Sequence, residues 1–134
     1  MKRIGYIVVL VGLILSAFQF NSAVAQGEIL NDVKAALSAG SAKELSRNFN
    51  STVEIGFDGN KSNYSKTQAE FVLKDFFSKN APAGFEYIHQ GASREGLKYA
   101  IGKYNTANGS YRVYILIKQF KGTYLVDTID FTKE

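Results

Sequence analysis

From Gly84 to its end the chain is dominated by segments rich in Tyr, Ile, Val and Phe: Phe85 to His89, Leu97 to Tyr104, Tyr111 to Phe120 and Thr123 to Phe131. Such residues favour the pleated, half-buried surface of a sheet. Between the segments stand Ser93-Arg94-Glu95-Gly96, Asn108-Gly109 and Lys121-Gly122, short Gly-containing links suited to antiparallel hairpins. More than a third of the chain is therefore predicted to be a four-stranded meander. Whatever precedes it must cover one of its faces.

The upstream segments are mostly helical in pattern. Ile29, Val33, Ala36 and Leu37 fall at i, i+4, i+7 and i+8 within Glu28 to Ala39, which predicts an amphipathic helix stopped by Gly40. Ser41-Ala42-Lys43-Glu44 has the pattern of a capping box and predicts a second, short helix carrying Leu45 and Phe49. After Asn50 the period changes to two, with Val53, Ile55 and Phe57 on one face of a strand. Asp58 to Asn63 is expected to be a polar loop. Ser65 with Gln68 then predicts an N-cap, and Ala69, Val72, Leu73, Phe76 and Phe77 form the apolar stripe of a longer helix ended by Ala81-Pro82-Ala83-Gly84. Helices segregated from a run of strands give an α+β fold, with N-terminal helices packed on an antiparallel sheet.

With 134 residues the chain suits a single domain, and 46% hydrophobic against 21% charged residues excludes intrinsic disorder. Lys2 and Arg3, the apolar run Ile4 to Phe18, and Ala23-Val24-Ala25 before Gln26 form the pattern of a signal peptide. Residues 1–25 are expected to be that signal peptide and residues 26–134 the single α+β domain. The apolar run is shorter than the roughly 20 residues a membrane span needs, so no stable span is expected after cleavage. The destination is then the periplasm or the extracellular space. Absence of cysteine excludes a lipoprotein, disulfides, zinc-thiolate sites and thiol nucleophiles. A single histidine leaves little for a metal site, so neither a metal nor another cofactor is expected. Losing Lys2 and Arg3 lowers the formal charge from +4 to +2, and the remaining basic residues are scattered, which argues against a nucleic-acid partner.

Tyr64-Ser65-Lys66-Thr67-Gln68-Ala69-Glu70, Asp75-Phe76-Phe77, Tyr99-Ala100-Ile101-Gly102 and Tyr111-Arg112-Val113-Tyr114 resemble an exported bacterial family, domain of unknown function 4783. Its wider set is the nuclear transport factor 2-like (cystatin-like) superfamily. The resemblance covers nearly all of residues 26–134 and implies a cone, in which N-terminal helices pack into the concave face of a strongly curved antiparallel sheet. These are helix-start, core and turn residues, so they imply a fold and no catalytic residue.

Two residues offer chemistry. His89, the only imidazole, shares the alternating face of its strand with Phe85 and Tyr87, near the expected interior of the cone. An imidazole can serve there as general acid or base. Asp127 shares a face with Leu125, Ile129 and Phe131, where a carboxylate must be paired or held neutral. The superfamily resemblance implies isomerases and dehydratases that use such residues inside a conical pocket, which makes His89 with Asp127 the catalytic alternative. Tyrosine supplies apolar area with a hydroxyl, as pockets and interfaces both need. Tyr87, Tyr99, Tyr114 and Leu116 are accordingly the pocket or interface candidates. Tyr114 and Leu116 lie on the outer sheet face, through which a homodimer is expected from the resemblance. Asp58 to Asn63 superficially resembles a calcium loop, but it carries Lys61 among the would-be ligands and lacks the closing glutamate. The leading expectation is an exported domain that binds a small apolar ligand or an envelope protein without catalysis. The alternatives are the pocket enzyme and a structural envelope component.

Overall fold

The computed structural model describes residues 27–92 and 97–134. The expected signal peptide and the Ser93-Arg94-Glu95-Gly96 link lie outside the described residues. Helix α1 (27–39) buries Ile29, Val33, Ala36 and Leu37, the stripe its periodicity predicts. Gly40 ends it at φ +65°, a conformation that favours glycine, and Ser41 caps α2 (Ala42–Ser46) by accepting the Glu44 N–H on Oγ at 3.2 Å. The short helix stops before Phe49. That residue instead opens strand β1 (Phe49–Phe57), where it is buried.

Asp58 and Gly59, at φ +51° and +87°, form a two-residue turn into β2 (Asn60–Ser65), which pairs antiparallel with β1. The polar run expected as a loop is thus an edge strand. Its side chains are almost all exposed, so no apolar alternation marks it. Ser65 then caps α3 (Lys66–Lys79) in a complete capping box: its Oγ accepts the Gln68 N–H at 3.2 Å, and Gln68 Oε1 accepts the Ser65 N–H at 3.1 Å. Ala69, Leu73, Phe76 and Phe77 of this helix are buried.

The meander follows as β3 (Pro82–Ala92), β4 (Lys98–Thr106), β5 (Gly109–Phe120) and β6 (Thr123–Lys133), each antiparallel to the next. Strand β1 lies parallel to β6, which extends the sheet to the order β2-β1-β6-β5-β4-β3. The result is an α+β fold with helices N-terminal to a curved, unclosed six-stranded sheet. One core joins the helical stripes to Val53, Ile55, Phe85, Tyr104, Val113, Ile115, Ile117, Val126, Ile129 and Phe131 on the covered face.

Four register shifts interrupt the ladders, at Phe49/Glu54 in β1, at Pro82/Gly84 and Tyr87/His89 in β3, and between β5 and β6 at Leu116/Ile117; the second in β3 and the one in β6 fall on residues that offer chemistry. In β3, Tyr87 pairs with Gly102 and His89 with Ile101, which leaves Ile88 as an extra residue. In β6, Val126 pairs with Ile117 and Thr128 with Leu116, which leaves Asp127 extra. One inserted residue moves every side chain beyond it to the opposite face. Leu125 consequently turns outward beside Lys118, while Val126 takes the buried position.

Candidate functional site

Beside its buried stripe, α3 carries a second flank at Phe71, Val72, Asp75, Phe76, Lys79 and Asn80, successive turns of one helix. Facing it are Phe57 at the end of β1, Asp58 of the following turn and Tyr111 at the start of β5. These residues bound an open cleft of about 480 Å³, within the range of small-molecule sites. Val72, read from the sequence as core, is half-buried and belongs to the cleft wall.

The cleft is walled by aromatic rings. Phe76 lies 5.1 Å from Phe57, 5.2 Å from Tyr111 in an edge contact and 4.6 Å from Phe131 behind it, measured between ring centroids. Phe71 stands at the mouth and is 68% exposed. Asn80 ties the helix end to the sheet: the Tyr104 hydroxyl donates to its carbonyl at 2.6 Å, and the Tyr111 hydroxyl donates to its Oδ1 at 3.1 Å. Asn80 Nδ2 in turn donates to the Phe76 carbonyl at 3.1 Å. Burial raises the Tyr104 pKa, and Tyr111 beside it pushes the same way, so that phenol stays a protonated donor. At the rim Lys79 Nζ lies 3.0 Å from Asp75 Oδ2, and Asp58 Oδ1 accepts the Lys133 backbone N–H at 2.7 Å. The arrangement offers apolar area, ring faces and a charged rim.

The catalytic alternative is not assembled. The bulge at Ile88 carries His89 to the outer face, exposed, with Nε2 3.1 Å from the Tyr99 hydroxyl. Asp127 is the bulged residue of β6, and its Oδ2 pairs with Lys118 Nζ at 3.1 Å, also on the outer face. Strands β4 and β5 separate the two, three strand spacings or about 14 Å across the sheet, too far to act on one ligand. Tyr87 does point to the covered side, yet it lines no part of the cleft: its hydroxyl donates to the Leu30 carbonyl at 2.6 Å and fastens α1 to β3. Burial raises the Tyr87 pKa as well. Tyr99, Tyr114 and Leu116 share the outer face, with the two tyrosine rings stacked at 6.3 Å.

Phe57, Phe71 and Tyr111 escaped the sequence reading as site residues. Phe57 and Tyr111 look like ordinary strand core. Phe71 carried a usable signal, because it is a large aromatic off the apolar stripe of its own helix. Among the described residues no group of three His, Cys, Asp or Glu side chains is placed to hold a metal ion, and no helix is long and apolar enough to cross a membrane.

A family profile described as Domain of unknown function (DUF4783) matches residues 30–132. No curated protein matches the chain. Among solved structures it is similar to a DUF4783 family protein from Bacteroides ovatus ATCC 8483, at 34% identity and a TM-score of 0.73, covering 77% of this chain and 93% of that one. An NTF2-like protein of unknown function from Shewanella baltica OS155 aligns at 11% identity and TM-score 0.62, over 88% of this chain and 95% of that one. A domain of unknown function with a cystatin-like fold from Nostoc punctiforme PCC 73102 aligns at 10% identity and TM-score 0.64, over 85% and 76%. The last two likenesses concern the fold alone.

Proposed function

The chain belongs to the DUF4783 family, and from that premise we propose that it is an exported, non-catalytic binding domain whose cleft beside α3 takes a small apolar ligand. The observation that carries this reading is Phe71. A phenylalanine 68% exposed at the mouth of an aromatic cleft leaves apolar area in water that a ligand would cover. Phe57, Phe76 and Tyr111 behind it offer ring faces to the same ligand, and Asn80 holds the helix end at a set distance from the sheet.

A thermal-shift screen of apolar and steroid-like compounds, followed by calorimetry on the hits, tests this. Phe71→Ala should weaken a hit by about tenfold or more, the scale of a buried aromatic contact. It should leave stability within about 0.5 kcal/mol, as exposed substitutions do. Hits bound equally well by Phe71→Ala, or turned over by the wild type, would overthrow the reading.

A second surface is supported by a separate observation. On the outer face the stacked Tyr99 and Tyr114 lie with Leu116 and Ile101, and Ile88, at the bulge of the edge strand β3, is 62% exposed. That patch fits a second copy of the chain across a twofold axis, because the Lys118–Asp127 and Lys61–Asp130 pairs at its margins carry both signs of charge.

A further inference from the structure

The geometry points to a cationic amphiphile, an ammonium group on an aromatic or aliphatic body, as the ligand class of the cleft, an inference that rests on the binding reading above. The charged lining residues are Asp58, Asp75 and Lys79. Lys79 and Asp75, four residues apart on α3, neutralise one another at 3.0 Å. Asp58 is the excess charge. Its Oδ1 accepts a backbone N–H from Lys133, and among the described residues no Lys or Arg side chain forms an ion pair with it. The Lys133 side chain does not fill that role: it leans toward Gly109, with Cε 4.0 Å from where a Cβ on that glycine would stand.

The same carboxylate is held in place. The Asp58 N–H donates to the Phe131 carbonyl at 2.8 Å while its side chain accepts from Lys133, so both ends of the residue are tied to the end of β6. Beside this anchored negative charge stand Phe57, Phe71, Phe76 and Tyr111, whose ring faces attract cations. An ammonium next to Asp58, with its apolar body along Phe71 and Phe76, meets both features. A carboxylate ligand would meet a lining of net negative charge.

Three probes with one common body separate charge from shape: phenylbutylamine, phenylbutanol and phenylbutyrate, titrated by calorimetry into the protein. The amine should bind about fivefold tighter than the alcohol, the scale of one exposed ion pair, and the carboxylate weakest. Asp58→Asn should bring the amine to the affinity that the alcohol shows for the same variant. Asparagine tolerates the positive φ and still accepts the Lys133 N–H, so the turn survives the change. Equal binding of all three probes, tightest binding of the carboxylate, or an amine preference that persists in Asp58→Asn would each overturn the inference. Binding of the alcohol that Phe71→Ala abolishes upholds the cleft even then; no binding by any probe brings down cleft and charge preference together.

Discussion

Asn80 shows how much one residue can hold. Its carbonyl and side-chain oxygen accept from Tyr104 and Tyr111, which joins the C-terminus of α3 to β4 and β5 just below the cleft. Tyr104 is wholly buried, so Tyr104→Phe removes the phenol that donates to the half-buried Asn80 carbonyl and should cost about 1 to 3 kcal/mol in urea denaturation. The pH dependence has a definite sign. Burial raises the pKa of Tyr104 and Tyr87, so their contribution is complete below the unfolded phenol value of about 10 and is lost as pH climbs from there toward the folded values. Stability should therefore fall above about pH 10, and less steeply in Tyr104→Phe. A variant with wild-type stability and an unchanged alkaline limb would refute the assignment.

At the scale of elements, α3 serves two surfaces at once, one flank in the core and one in the cleft. Its start is set by the Ser65–Gln68 capping box, so Ser65→Ala should cost about 1 kcal/mol. Its seat is set by Phe76, whose ring packs among Phe57, Tyr104, Tyr111 and Phe131. Phe76→Ala should lose about 3 to 5 kcal/mol, whereas a loss below about 1 would mean the helix is not seated on the sheet as described. Both features are local enough to be read in the sequence. The bulges at Ile88 and Asp127 are not, because an extra residue in one strand exists only relative to the partner it fails to match. That is why His89 and Asp127 read as interior residues and stand outside.

For the whole molecule two predictions remain. If the outer face joins two copies, Tyr114→Lys with Leu116→Lys should shift sedimentation from dimer to monomer without altering the fold by circular dichroism; a wild type that sediments as a monomer across micromolar concentrations would rule the dimer out. Export predicts that the protein recovered from its native host begins at Gln26. Intact-mass measurement decides it, and full-length chain in the inner membrane would be the contrary result.

The sequence by itself determined the α+β class, the helical stripe of α1, the two N-caps and the four-strand meander, because each depends on contacts within a few residues or on a repeating period. Only the tertiary structure decided that β1 runs parallel to β6, that the polar run Asn60–Ser65 is an edge strand, and which face each strand turns to the core beyond a bulge. Those outcomes depend on register between segments distant in the chain, where a one-residue slip reverses inside and outside. The cleft belongs to the same class. Phe57, Phe71 and Tyr111 come from three elements, and nothing in their local sequence states that folding will place them around one opening.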